Sequence, residues 1–419
     1  MVLKIIFILT FVLSNLSSNE IVNYFNENTL KKVLFFNYVI KNFYVEDIDN
    51  EEILNKTFKN YLNEIDPHST YFSKEKYQEF KKNIDGDFVG VGIITSMKNN
   101  QLLVVTPIKN SPAFKVGIKS KDIIKKINDI DISNKDTLYI EKLIKGEKNT
   151  NVKLTIDRNN KELIFNIKRD NLIVHPIKDE LISINDKKIL FITIHLFNKL
   201  SYNDFKKTIL KYKNYNGIVI DLRNNPGGLL TDSLDIADLF LDRNKILLFE
   251  KTKNEIKKHF SKTMNIIPKN IPLGIIINNG SASGSEILAG ILQDYKRAII
   301  VGETSFGKGS VQQIIPVNIG EQNLGAIKLT TSRYYLPSKR SIQNNGIIPN
   351  ILISNDNQKE HKDNTENSYK NSLKNVELKL TDNENKYLKT PEDTSKYFEE
   401  YNEDKQLKST LSLIYSLIH

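Results

Sequence analysis

The run Leu273-Gly274-Ile275-Ile276-Ile277-Asn278-Asn279-Gly280-Ser281-Ala282-Ser283-Gly284-Ser285-Glu286-Ile287-Leu288 passes from an unbroken apolar stretch, through small and polar residues, into an amphipathic one. A short apolar run bounded by turn signals reads as a strand buried on both faces, and helical spacing follows it. The same change of texture occurs at Ile218-Val219-Ile220, which leads into Asp221-Leu222-Arg223-Asn224-Asn225-Pro226-Gly227-Gly228. It occurs again at Ala298–Val301, which leads into Gly302-Glu303-Thr304-Ser305-Phe306-Gly307-Lys308-Gly309. Strands at 189–194, 218–222, 274–277 and 298–301 alternate with helices at 205–211, 233–240 and 286–292. This predicts an α/β core built on a mixed, largely parallel sheet. Ligands of such sheets bind at the carboxyl ends of the strands, so the three glycine-rich loops are where chemistry is expected.

Outward from the core, residues 19–85 carry apolar residues at helical spacing, as in Leu30, Val33, Leu34 and again Phe58, Tyr61, Leu62, Ile65. At Asp85-Gly86-Asp87 the texture changes to short β-rich runs over 86–170, the size of one small inserted domain. The core then occupies 171–353. Residues 354–419 read as a polar linker and a helical tail carrying Leu407, Leu411, Ile414 and Ile418. At the start, Lys4 and the apolar run Ile5–Leu13 have the size of a signal-peptide core, with Ser14, Ser17 and Ser18 following. Residues 1–18 are therefore expected to direct export, either cleaved or kept as an anchor; a buried helix is the competing reading.

Cysteine is absent from the 419 residues, which removes disulfides, thiolate nucleophiles, iron–sulfur clusters and cysteine zinc sites. The six histidines lack metal-ligand spacing, so no metal site is expected. Lys and Arg number 60 against 50 Asp and Glu, but the excess is spread along the chain rather than gathered into a basic block. Nucleic acid is not an expected partner.

In the first loop, Gly227 and Gly228 let backbone amides approach an anion, although Pro-Gly-Gly also makes an ordinary turn. In the second, a strand-to-helix turn presents Ser281, Ser283 and Ser285, any of which could be a nucleophile or a helix cap. The third approaches a phosphate-binding loop but has Gly309 where Ser or Thr must follow the lysine, which argues against a nucleotide hydrolase. Lys308, flanked by glycines, suits a desolvated neutral base for a serine hydroxyl. Gln312, four residues on, would share its face if the segment were helical. His68, in Asp66-Pro67-His68-Ser69, reads as structural, closing the helical region.

Taken in order, these motifs resemble the carboxyl-terminal processing peptidases, also called tail-specific proteases. Asp66-Pro67-His68-Ser69-Thr70-Tyr71, Asp221–Gly228, Gly280–Ile287 and Ser305–Gln312 each look like a family motif. Phe88-Val89-Gly90-Val91-Gly92-Ile93 with Ser111-Pro112-Ala113 is similar to its PDZ domain. The resemblance implies a serine endopeptidase with Ser283 as nucleophile and Lys308 as general base, Gln312 orienting the lysine and Asp294 as an accessory acid. It also implies an oxyanion hole from Gly284 with Gly228 or Gly227, Gly228 being preferred. A PDZ loop of Gly90, Val91, Gly92 and Ile93 would capture the C-terminal carboxylate of protein substrates with apolar tails.

No metal or cofactor is implied. A periplasmic or cell-envelope location is implied, with inner-membrane association through the N-terminus, self-association and an adaptor protein left open. A tail-binding adaptor with a dead protease core is the alternative. Lys121, Asn149 and Lys339 stand where the family usually has glycine, and Leu336 and Asn350 replace its Thr and Asp.

Overall fold

The computed structural model describes residues 27–85, 87–98, 101–108, 111–133, 135, 137–173, 175–263, 266–319, 322–354, 365–376, 398 and 400–418. The expected export segment 1–18 lies outside them. The chain divides into two compact units. One comprises Met1–Phe80, Asp179–His195 and Tyr212–His419; the other comprises Lys81–Lys178 and Leu196–Lys211.

Among the described residues, the larger unit begins with α1 (Glu27–Phe43) and α2 (Asn50–Ile65). Asp49 caps α2 by accepting from the Glu51 and Glu52 amides at 2.9 and 3.2 Å. The helix stops at Asp66 because Pro67 forces its predecessor out of helical geometry, and Asp66 is fully extended. Asp66 then closes the turn, its Oδ1 accepting from the His68 and Ser69 amides at 2.8 and 2.9 Å. Residues 19–85 were expected to be helical, yet β1 (Thr70–Ser73) intervenes before α3 (Lys74–Asp85). Three of its four residues, Thr70, Tyr71 and Phe72, are β-formers, and a partner from residues 325–328 fixes the segment as strand.

The smaller unit holds β2 (Asp87–Gly90), β3 (Ile93–Lys98), β4 (Gln101–Pro107), α4 (Pro112–Lys115), β5 (Ile123–Ile127), β6 (Ile130–Asp131), α5 (Thr137–Ile144), β7 (Asn151–Arg158), β8 (Lys161–Lys168) and β9 (Asp170–Ile173). Its main sheet runs β3-β4-β5-β7-β8, with β3 at one edge, over a core that includes Val91, Val104, Ile127, Ile140, Leu154 and Ile156. Strand β9 pairs with β2, so this fold continues past the expected boundary at 170.

The chain then forms β10 (Ile177–Ile184), β11 (Lys187–Ile194), α6 (Ser201–Lys211), β12 (Gly217–Asp221), α7 (Leu230–Asp238), β13 (Ile246–Thr252), β14 (Ile256–Phe260), β15 (Leu273–Ile277), α8 (Gly284–Asp294), β16 (Ile299–Gly302), β17 (Ser310–Ile319), β18 (Gln322–Tyr335), β19 (Ile351–Leu352) and α9 (Lys405–Leu417). One sheet has the order β10-β11-β12-β15-β16-β19, parallel from β11 onward. Strands β12 and β15 are buried at every residue, which is why they read as continuous apolar runs. Helix α9 docks as expected, placing Leu407, Leu411, Ile414 and Ile418 in a core with Val219 and Ile276.

A second sheet, β1-β18-β13-β14 with β17 added on β18, was not anticipated. Part of its surface is half-exposed, so its apolar pattern is broken. Most of the expected linker, residues 355–364, lies outside the described residues. Residues Glu366–Ser368 form a helical turn in which Glu366 is completely buried.

Candidate active site

Strands β12, β15 and β16 lie side by side, so their carboxyl ends bring the loops 222–229, 278–283 and 303–309 together. The first two loops are sewn to each other. The Asn224 amide donates to Asn278 Oδ1 at 2.9 Å, Asn278 Nδ2 returns a bond to Asn224 Oδ1 at 3.0 Å, and the Ala282 amide reaches the Asn225 carbonyl at 3.0 Å. Arg223 secures the first loop from below, pairing with Asp221 and with Asp404 at the start of α9, each at 2.6 Å.

Of the three candidate serines, two are spent on structure. Ser281 Oγ donates to the Leu222 carbonyl at 2.8 Å and Ser285 Oγ to the Asn225 carbonyl at 2.9 Å, and both residues are fully buried. Ser283 is partly exposed and sits at the N-cap of α8 with φ 52° and ψ −112°. A non-glycine residue in that region is strained, and a sharp strand-to-helix turn of this kind pushes a side chain out of the backbone. Gly284 opens the helix, where the first amides have no intrahelical partner.

Gly227 abuts this turn: a Cβ there would lie 2.7 Å from the Ala282 carbonyl and 2.8 Å from both the Gly284 nitrogen and Ser283 Cβ. Only glycine allows that approach, and its φ of 94° demands glycine as well. The Gly227 amide is occupied, donating to Asn225 Oδ1 at 2.9 Å. Gly228, the next residue, has φ 144°. Of the two glycine amides, that of Gly227 is therefore spent within its own loop.

Glu286 holds the Ser283 turn to the Lys308 loop. Its Oε2 accepts from the Ser283 amide at 2.8 Å and the Lys308 amide at 3.0 Å; its Oε1 accepts from Ser305 Oγ at 2.6 Å and the Gly307 amide at 2.7 Å. The carboxyl is completely buried, which pushes its pKa up to about 7 even though the four donors pull it down. The role of Glu286 was not read from the sequence, although Ser283 and Glu286 have capping-box spacing.

Lys308 is clamped on its other side too. The Tyr334 hydroxyl donates to its carbonyl, and the Gly309 amide donates to Gln343 Oε1 at 2.8 Å. Burial lowers the lysine pKa to about 8, Lys328 adds to the depression, and Glu366, Glu286 and Asp66 oppose it. With Ala282, Pro226, Phe306, His68 and Tyr369, Lys308 lines a cavity of about 490 Å³.

Two expected residues are placed differently. Gln312 lies on strand β17, not on a helix, so the shared-face argument fails; its Nε2 donates to Ser310 Oγ at 3.0 Å and Thr330 Oγ1 at 3.1 Å. Thr330 continues to Asp66 Oδ1 at 3.1 Å, which links Gln312 to the turn carrying His68. Asp294 ends α8, about 16 Å of helix from Ser283. There it accepts from the Ser338 amide at 2.8 Å and pairs with Arg340 at 3.0 Å, fixing the 336–340 loop. His68, read as structural, lines the cavity itself. Among the described residues no group of three or more His, Asp and Glu is arranged to hold a metal.

In the smaller unit, Gly90 ends β2 and Ile93 begins β3. Between them, the Val91 carbonyl accepts from the Ala113 amide and the Gly92 carbonyl from the Ile108 amide, both at 2.9 Å, and from Ser111 Oγ at 3.0 Å. In trans peptide units those carbonyls force the Gly92 and Ile93 N–H groups to the opposite side, where they can face an anion. Gly92 needs its φ of 78°, and a Cβ there would strike Ser111 Cβ at 2.2 Å.

The sequence patterns of known families agree with this division. That of peptidase family S41 matches residues 188–353, and that of the PDZ domain matches residues 89–168. The chain is 35% identical over 338 residues to a carboxy-terminal-processing protease of Bartonella bacilliformis, covering 78% of this chain and 76% of that protein. It is 32% identical over 329 residues to a Staphylococcus epidermidis protein named probable CtpA-like serine protease, covering 78% of this chain and 65% of the relative's length. A solved structure from Bacteroides fragilis, described as that of an S41 protease, shares the fold with a TM-score of 0.51 at 16% identity, over 74% of this chain and 85% of that one.

Proposed function

This chain belongs to peptidase family S41, with the carboxy-terminal-processing proteases, and we propose that it is a serine endopeptidase working through Ser283 and Lys308. The observation that carries the proposal is the buried Glu286 carboxylate, one oxygen of which accepts the amides of both residues. Ser283 Oγ attacks the scissile carbonyl while neutral Lys308 takes its proton. The Gly284 and Gly228 amides receive the oxyanion, an interaction worth about 3–4 kcal/mol per donor. The lysine ammonium then protonates the leaving amine, and a water activated by the same lysine hydrolyses the acyl-enzyme. A base lowered to about 8 by burial is available at mildly alkaline pH without a metal or nucleotide.

Substrates enter as protein tails. Strand β3 is a sheet edge, which an extended peptide can extend as a further strand, and the Gly92 and Ile93 amides would take its terminal carboxylate. We place the enzyme in the cell envelope, exported through residues 1–18, on the strength of their charge and apolar run.

Binding of one apolar-tailed peptide to the Ser283→Ala protein, with its C-terminus free or amidated, tests the capture mode. Preference for the free carboxylate supports it, and equal affinity rejects it. Cleavage of an apolar-tailed reporter by Ser283→Ala or Lys308→Ala protein at the wild-type rate would reject the proposed pair.

A further inference from the structure

Glu366 has no solvent-exposed surface, although it lies in a polar stretch without apolar periodicity. Both its oxygens meet His68 Nε2, at 2.9 and 2.8 Å, and Oε1 also accepts from Gln343 Nε2 at 3.0 Å. Its own amide donates to the Phe306 carbonyl at 3.1 Å. Glu366 thus joins the turn after α2 and the 343–344 loop through its carboxylate, and the loop that carries Lys308 through its amide. Gln343 passes the connection on by accepting from the Gly309 amide, directly after the lysine. Three residues along, the Tyr369 ring stands 5.9 Å from His68 and 6.1 Å from Phe306, and about half of it is exposed to the cavity and solvent.

We propose that residues 365–369 are a wall of the active site, latched by the His68–Glu366 pair. In this arrangement Glu366 positions the lysine loop, and Tyr369 selects the substrate side chain that enters the cavity beside Lys308. The proposal rests on the Ser283–Lys308 reading. Its physical basis is that a buried carboxylate stripped of its partners is strongly unfavourable. The segment therefore cannot leave the cleft without exposing or orphaning that charge, and the ring it carries is a fixed surface. Phe306, Tyr369 and Ala282 give the cavity apolar surface beside the polar Ser368, Asn224 and Asn279, a mixed lining suited to an uncharged side chain next to the cut bond.

Lys308 faces Lys328 from β18, Glu286 from α8, Asp66 from the turn after α2 and Glu366 from this segment, with His68 against Glu366. Glu366 is the carboxylate of this set that the segment itself supplies. Removing its charge destabilises the ammonium, so the lysine deprotonates at lower pH.

The test uses the full chain and a destabilised reporter protein with an apolar tail, with cut sites mapped by mass spectrometry. Tyr369→Ala, at a half-exposed position, is expected to keep kcat within about twofold, raise KM about tenfold and redistribute the cut sites. Glu366→Gln keeps the shape and is expected to move the acid limb of the kcat/KM profile to lower pH by about half a pH unit or more, which a merely structural role would not do. His68→Gln, still a donor to Glu366, should leave that limb in place. An unchanged cut-site map in Tyr369→Ala, or an unmoved limb in Glu366→Gln, overturns the proposal while an inactive Ser283→Ala control leaves the Ser–Lys reading standing. A Ser283→Ala protein that still cuts removes the reading on which it rests.

Discussion

Replacing Glu286 by glutamine should leave a folded but crippled enzyme. The carboxylate receives four donors, two on each oxygen. Glutamine turns one oxygen into a donor, so whichever way the amide faces, two N–H or O–H groups lose their acceptor. Each orphaned buried donor costs about 1–3 kcal/mol. Against that, lifting a carboxyl from 4.5 to about 7 corresponds to roughly 3 kcal/mol of disfavour for the ionised form, which the neutral amide removes. The two effects oppose each other, so thermal or denaturant unfolding should change by no more than about 3 kcal/mol. Catalysis has no such compensation. The Ser283 and Lys308 amides lose their common anchor, or the Ser305–Gly307 end of the lysine loop does, and a misplacement of about 1 Å costs on the order of a hundredfold in rate. The assay is kcat and KM on a tailed reporter, with unfolding measured on the same preparation. A glutamine variant with kcat within about threefold of wild type would refute the tether argument.

Three further outcomes follow from the same geometry. Because the base must be neutral and burial lowers Lys308 to about 8, kcat/KM should climb about tenfold per pH unit below that value and level off above it; a profile flat from about pH 6 to 9 contradicts this. Gly92→Ala drives a Cβ into Ser111 at a φ of 78°, so the smaller unit should lose about 2–4 kcal/mol and tail affinity should collapse, as titration with a tail peptide would register. Lys121 occupies φ 71° with an exposed side chain, so Lys121→Gly should relieve about 1–2 kcal/mol of strain against about 0.5–1 kcal/mol of chain entropy and raise stability by about 0.5–1 kcal/mol in denaturant titration; no gain would refute the strain.

The parallel core was readable because strands buried on both faces must be apolar throughout, as Gly217–Asp221 and Leu273–Ile277 nearly are. Their carboxyl-end loops then announced themselves by glycine and serine. The second sheet was not readable: β18 is half-exposed over much of its length, and β1 acquires its strand geometry from a partner more than two hundred residues away. For the same reason the condition attached to Gln312 is not met: its four-residue spacing from Lys308 shares a face only on a helix, and the residue lies on a strand. Glu366 was hidden for a related reason. Its partner His68 lies 298 residues earlier, and nothing local distinguishes a buried glutamate from a solvated one. The choice among Ser281, Ser283 and Ser285 likewise depends on which hydroxyls are consumed by distant carbonyls. Three positions where the family usually has glycine, Lys121, Asn149 and Lys339, all keep a positive φ, so the backbone has retained the turn while the sequence has not.

The central claim is that Ser283 and Lys308 together cut protein tails. It is tested most directly by incubating wild-type, Ser283→Ala and Lys308→Ala proteins with a destabilised reporter ending in an apolar tail, beside the same reporter with a charged tail. No metal or nucleotide is added, and products are identified by mass spectrometry. The account predicts cleavage by the wild type alone, faster on the apolar tail. Cleavage by the Ser283→Ala protein, or tail binding by the wild type without any cleavage, would contradict it.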